Sequence, residues 1–388
     1  MGYGFIKQYG FAKQQGLTLI ELLVSMFITS IIFAGVINTF LTTKQSYLFD
    51  AEVSYMQENA RFAVDTIARD LRQAGYSGGC NMNGANVANA VDISTSQADF
   101  LKTTAVEGFQ LADHPDEYKD DVWAMVSSPD SMIIRYSSDV NNITVTSHNA
   151  ASAEIDVTST GDLEAGSIFM LAHINCSQIG IAAAYEISTG KVDHSKGSGV
   201  DSSSTNCSKH MGGHFNCSVA CDSDGNCPGA PNSSAYTYPP GSGVYEFVSK
   251  AYYIGTSSAD DAVPALFVKK LDSDGDVSIA EELVSGVEDF QILYGVDTQA
   301  LSADGKVNRY LTSANITQDV ADAGSGWIGW DRVLSVRLQL VARSRDPVLQ
   351  QTTSQTPIAG GVTYNDKYMR QLITTTVQLR NAALAANI

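Results

Sequence analysis

An α+β fold is predicted for this chain: one long N-terminal helix, transmembrane and then amphipathic, followed by a β-rich, disulfide-braced head. Three observations predict it. Residues 17–41, LTLIELLVSMFITSIIFAGVINTFL, form one apolar run with a single carboxylate. Helical spacing of apolar residues then continues to residue 74. Beyond residue 79, short apolar or alternating segments are separated by Ser-, Asp-, Asn- and Gly-rich turns, and all six cysteines lie in that part.

Residues 1–16, MGYGFIKQYGFAKQQG, carry Lys7 and Lys13 and no acid, and end at Gly16. This is the composition of a leader held on the cytoplasmic side. The apolar run 17–41 exceeds the roughly 20 residues a helix needs to span a bilayer. A secretory signal peptide cleaved around Phe33-Ala34-Gly35 is the alternative reading. Against it, Val53, Met56, Ala60, Ala63, Ile67, Leu71 and Ala74 recur at steps of three and four through 42–79, so the helix runs on with one face to bury. Gly75, Gly78 and Gly79 stop it. At 1.5 Å per residue, a helix over 17–75 would measure roughly 90 Å.

The carboxylate in the apolar run is Glu21. In lipid it costs roughly 2.5–3.5 kcal/mol on insertion scales, so it needs a counter-charge. Cleavage after Gly16 would create one, the amine of Leu17, and in a helical assembly Glu21 of one subunit could meet that amine on its neighbour. The plainer alternative is a carboxylate that snorkels to the headgroups.

The run QQG-LTLIELLVS resembles the type IV prepilin signature: a short basic leader ending in Gly, an apolar residue, and Glu at the fifth mature position. By that resemblance Gly16 is the prepilin peptidase site and Leu17, where Phe is usual, becomes N-methylated; Glu21 is the assembly residue. Later stretches resemble PilW-type minor pilins: QENARFAVDTIARDLRQAGYSGGC (57–80), LVSGVEDFQILYGVD (283–297), RVLSVRLQLVARS (332–344) and TTTVQLRN (374–381).

The resemblance implies a non-enzymatic minor pilin without a cofactor. Such a subunit takes part in priming and assembly of type IV pili near the tip, supporting motility, adhesion or DNA uptake. It implies as partners other minor pilins, the major pilin, the prepilin peptidase, the inner-membrane assembly platform and a tip adhesin. It also implies a single-pass inner-membrane protein with its head in the periplasm before assembly, and a place in the cell-surface pilus afterwards. The rivals are a large minor pseudopilin of a type II secretion system and a pilus-borne adhesive module.

In the head, strands are predicted at 122–126, 132–136, 143–146, 154–158, 167–174 and 181–187 in a first β-rich region (80–187). A second region (244–388) holds strands at 245–254, 265–271, 290–294, 333–342 and 372–379. Between them, residues 188–243 are dominated by Ser, Gly, Asn and Asp and read as a Cys-rich surface loop.

That segment holds Cys207, Cys217, Cys221 and Cys227 together with His210 and His214. The spacing Cys-x2-His-x3-His-x2-Cys could bind zinc, but beyond the membrane thiols oxidise, which favours two loop disulfides of undetermined connectivity. Cys80 and Cys176 would then tie the helix end to the first β-rich region. The Asp-Gly stretches 222–226 and 272–276 suit hairpin turns; the alternative is a calcium site without EF-hand form, best placed at Asp272, Asp274 and Asp276.

His114, His148, His173 and His194 lie apart in the chain and read as surface or core residues, and no nucleophile elbow, zinc-protease pair or P-loop is present. Trp327 and Trp330 could bind a partner or cap the strand that follows. The net charge of −18 disfavours nucleic-acid binding.

Overall fold

The computed structural model describes residues 18–81, 86–92, 97–110, 113–123, 129–198, 205–217, 234–298, 305–316 and 329–381. The chain divides into two compact units, residues 1–53 and 54–388. The described part of the first is helical, and one helix, α1 (Leu19–Gln73), runs through the boundary.

In the second unit, Met56, Ala60, Ala63, Val64, Ile67, Ala68, Leu71 and Ala74 are buried, as the three-four spacing requires. The helix stops where Gly75 takes φ +74° and turns its N–H to the carbonyl of Arg135, 2.9 Å away.

A short ribbon follows, β1 (Tyr76–Ser77) with β2 (Cys80–Asn81). The large sheet begins with β3 (Asn86–Asp92), β4 (Val106–Phe109), β5 (Ser131–Asn149), β6 (Glu154–Val157), β7 (Ile168–Ala172) and β8 (Gln178–Ala183). It continues with β9 (Glu186–Ser188), β10 (Lys191–Asp193), β11 (Gly197–Ser198), β12 (Thr205–Asn206) and β13 (Phe215–Cys217). β14 (Gly243–Thr256), β15 (Pro264–Lys270) and β16 (Glu281–Ser285) complete it. Its main order is β11-β12-β3-β8-β7-β14-β5-β6-β10-β9, with β15 and then β16 added beside β14.

β7 and β8 are buried at every position because both sheet faces are covered, so their sequences show no alternation. A second sheet, ordered β18-β17-β19-β22, comprises β17 (Val287–Val296), β18 (Arg309–Leu311), β19 (Val333–Arg343) and β22 (Arg370–Gln378). β20 (Thr353–Gln355) and β21 (Tyr364–Asp366) form a separate ribbon.

One core cluster joins Ala63, Ile67, Leu71 and Ala74 of α1 to Ile134 and Tyr136 of β5, Tyr252 of β14, Leu266 of β15, Phe290 and Ile292 of β17, and Val336, Leu338 and Leu340 of β19. The helix face is therefore packed by both sheets.

Several boundaries differ from the sequence reading. The strands expected at 132–136 and 143–146 are one strand, β5; of the strand expected at 122–126, Val122 forms a bridge with Gly255, and 124–126 lie outside the described residues. Residues 188–243 are not a surface loop in their described parts: β12 and β13 both pair with β3, and Phe215, Cys217 and Tyr238 are buried. Their two-to-three-residue strands are too short to show a period. The region 244–388 contributes to both sheets, because β14 to β16 belong to the large one and β17 to β19 and β22 to the second.

The change of sheet occurs at Gly286, between β16 and β17. It has φ +82°, donates to the carbonyl of Pro264 at 2.7 Å and accepts from the N–H of Arg343 at 2.8 Å. A Cβ there would lie 3.1 Å from the Arg343 carbonyl oxygen. Gly286→Ala should therefore cost about 1–3 kcal/mol of stability, seen as a lowered denaturation midpoint. An unchanged midpoint would remove this account of the sheet change.

Candidate assembly site

α1 is the one helix among the described residues long and apolar enough to cross a membrane. Its apolar side chains, Leu19, Ile20, Phe27, Ile31, Phe33 and Phe40 among them, are exposed. The hydroxyls among them are satisfied within the helix. Ser25 donates to Leu22 O (2.9 Å), Thr29 to Ser25 O (2.7 Å), Ser30 to Phe27 O (2.8 Å), Thr39 to Gly35 O (3.0 Å) and Thr42 to Asn38 O (2.9 Å). A segment that returns its hydroxyls to its own carbonyls can sit in hydrocarbon without an unpaired O–H.

Glu21 closes the N-terminus of this helix. Its Oε2 accepts from the N–H of Thr18 at 2.9 Å and from the Thr18 hydroxyl at 3.0 Å, while the Glu21 N–H donates to Thr18 Oγ1 at 3.3 Å. Thr18-x-x-Glu21 is thus a capping box, with each residue satisfying an orphan group of the other. Gly16, Leu17, Cys221, Cys227, the 222–226 stretch and Trp327 lie outside the described residues.

At the other end of α1, Asp70 is 5% exposed. It accepts from Lys250 Nζ at 2.9 Å, from the hydroxyl of Tyr252 at 2.5 Å and from that of Tyr136 at 3.3 Å. Sequence reasoning missed it, although the signal was there: Asp70 is three residues from Ile67, on the buried stripe.

Cys80 and Cys176 form a disulfide with Cα atoms 5.2 Å apart, and Cys207 and Cys217 form another at 6.1 Å. The first closes a loop 96 residues long, which the chain-entropy account makes worth about 4–5 kcal/mol. The second uses both sulfurs that the zinc alternative needs; His214 Nδ1 accepts instead from the N–H of Val87 at 3.3 Å.

Asp272, Asp274 and Asp276 lie in a turn in which Gly275 donates to Asp272 O at 3.0 Å, and Asp276 Oδ1 takes the amide of Gln97 at 2.7 Å. Among the described residues no three His, Cys, Asp or Glu side chains converge as metal ligands. Trp330 packs edge-on to Tyr294, ring centres 4.9 Å apart, and so caps the second sheet.

The histidines do not all stand alone. His148, near the end of β5, and His194, just after β10, are both buried, with their Nε2 atoms 3.1 Å apart. Strands β5 and β10 flank β6, which brings together residues 46 apart in sequence. Because His148 Nδ1 accepts from the N–H of Tyr238 at 3.0 Å, His148 Nε2 carries the proton and donates to His194. Burial lowers His148 to about 4, and burial with the neighbouring His148 lowers His194 to about 3.

Residues 251–381 match the family model for Type IV Pilus-assembly protein W, and residues 11–37 match the prokaryotic N-terminal methylation motif. Among solved structures, a type IV-like pilin from Thermus thermophilus is similar at 15% identity over 36% of this chain and 70% of that one, with a TM-score of 0.22. No curated protein matches the chain.

Two outcomes follow. Asp70→Ala leaves Lys250 and Tyr252 facing a buried gap and should cost about 2–4 kcal/mol; a loss below 0.5 kcal/mol, roughly the size of a neutral surface change, would show that Asp70 does not hold the helix.

The histidine pair makes stability fall with acid. In the unfolded chain both titrate near about 6.5, so unfolded protein binds more protons as pH drops from there through about 4 and 3. Asp130, pushed up to about 7 by burial, acts with the opposite sign, costing more as pH rises toward 7. Histidine NMR shifts should show both imidazoles neutral at a pH of about 5; titration near 6.5 by either would overturn the assignment.

Proposed function

We propose that this chain, with its Pilus-assembly protein W region and its N-terminal methylation motif, is a minor pilin that takes part in priming and assembling type IV pili near the filament tip. It acts as a structural subunit rather than an enzyme. The observation that carries the reading is Glu21, the single carboxylate of the apolar run 17–41, held in a capping box at the head of an exposed apolar stretch in which Ser25, Thr29, Ser30 and Thr39 return their hydroxyls to the helix's own carbonyls.

In this reading the leader ends at Gly16, processing frees the amine of Leu17, and the head stands on the periplasmic side while the helix remains in the inner membrane. Thr18 satisfies Glu21 in the lone subunit. On assembly, the Leu17 amine of a neighbouring pilin supplies a full positive charge, a stronger partner in a low-dielectric bundle than a neutral amide and hydroxyl.

The partners are other minor pilins, the major pilin, the prepilin peptidase, the inner-membrane assembly platform and a tip adhesin. Motility, adhesion and DNA uptake are the activities this subunit would support.

Glu21→Ala separates insertion from assembly. The variant helix is more lipid-soluble, so membrane levels should equal wild type, whereas its amount in sheared pili should fall roughly tenfold, equivalent to about 1.4 kcal/mol of lost pairing. Wild-type amounts in sheared pili, with normal piliation, would sink the proposed role.

A further inference from the structure

The second sheet has an edge unlike the others. Nine unbroken pairs join β22 to β19, from Ser335↔Gln378 to Arg343↔Arg370. Leu379 N–H donates to Leu334 O, so the 379–334 pair is hydrogen-bonded and the alternation of an antiparallel ladder places 377, 375, 373 and 371 in bonded pairs as well. The N–H and C=O groups of Leu372, Thr374, Thr376 and Gln378 therefore point away from β19. Arg370, which begins the outward series, gives its N–H to Gln355 Oε1 at 3.2 Å; from Leu372 onward no backbone partner outside β19 is found among the described residues.

Other edges in the fold are blunted. β9, β11 and β18 have three, two and three residues. β16 has five, carries Glu281 and Glu282, and slips register against β15. β22 has nine residues, no proline, no lysine and no bulge, and its centre, Ile373-Thr374-Thr375-Thr376-Val377, is wholly β-branched. Its one charge, Arg370, is consumed by Glu288 and Asp366. Such an edge is a template for another strand.

Charge narrows the occupant. The chain carries −18 overall, yet from Lys367 to Asn381 there is no acid. Lys367 and Arg380 are exposed at the two ends of the edge, and Arg337, stacked at 3.9 Å over Tyr310, lies beside Thr376. We infer that the free edge of β22 is a docking site for an extended segment of another protein that adds as a strand, with carboxylates near its ends to meet Lys367 and Arg380. Backbone bonds to residues 372–378 supply affinity, and the terminal charges set which strands are accepted.

The test uses the full-length protein in detergent and two synthetic heptapeptides of alternating Thr and Val, one ending in Glu at both ends and one in Lys. The Glu-ended peptide should slow amide exchange at Leu372, Thr374, Thr376 and Gln378, and the Lys-ended peptide should bind roughly tenfold more weakly. Thr374→Pro removes an outward N–H without touching the β19 ladder and should abolish that protection while leaving thermal stability close to wild type.

Arg380→Glu, at an exposed site, weakens the Glu-ended peptide by a separate route, so the proposal stays testable if the proline variant folds poorly. The proposal fails if the Glu-ended peptide protects none of these amides, if both peptides bind equally, or if both variants bind as wild type does. It also fails if these amides are protected by concentration-dependent self-association of the chain alone, which would make the occupant a second copy.

Discussion

Asp70 sits on the buried face of α1 one turn from its C-terminus, where the helix dipole disfavours a carboxylate and burial adds a desolvation cost. Only a docking that presents Lys250, Tyr252 and Tyr136 together offsets both. Those three residues come from β14 and β5, which pair with each other along the middle of the large sheet. A one-turn slip of the helix would keep apolar residues buried but strand the carboxylate, so the apolar stripe supplies the attraction and Asp70 sets the register. The rest of the second unit is arranged around that fixed helix.

The two sheets are held to each other by polar groups as well as by the shared core. Asp130, just before β5, accepts from the N–H of Ile292 in β17 at 2.7 Å, and its own N–H bonds to Phe290 O. Arg370 grips Glu288 at 2.5 Å and Asp366 at 2.7 Å, joining β22, β17 and the β20–β21 ribbon. Arg135, fully buried in β5, is bound by Glu107, the Thr104 carbonyl and the Asp99 carbonyl. Each guanidinium is forked toward several acceptors, the arrangement in which a buried charge is tolerated. Gly286 allows the chain to leave one sheet and enter the other within a single residue.

The first unit follows a different rule. From Leu19 to Leu41 its large apolar side chains are exposed, and the hydroxyls of Ser25, Thr29, Ser30 and Thr39 are bonded inside the helix, so this stretch is matched to hydrocarbon rather than to water. Glu21 is the exception, and the capping box at Thr18 gives its carboxylate neutral donors only. A carboxylate in that state keeps its charge available for a cation, which is what the intersubunit pairing proposed for Glu21 requires.

What the sequence by itself determined is whatever repeats along the chain. The apolar run 17–41, the three-four stripe to Ala74, the Gly75 stop, and strands such as β14, β17, β19 and β22 are written in periods that a single segment must obey whatever surrounds it. Tertiary structure decided what depends on distant neighbours. In the described parts of 188–243, β12 and β13 carry no apolar period because they are ordered by pairing with β3 and by the Cys207–Cys217 bridge.

His148 and His194 look unrelated until β6 places β5 and β10 on either side of it. Asp70 appears as an ordinary helix acid until Lys250 and Tyr252, some 180 residues later, reach it. A period is local and can be read from the chain. The pairing of a buried polar group is a property of the packed molecule, because its cost and its partner exist only once water has been excluded.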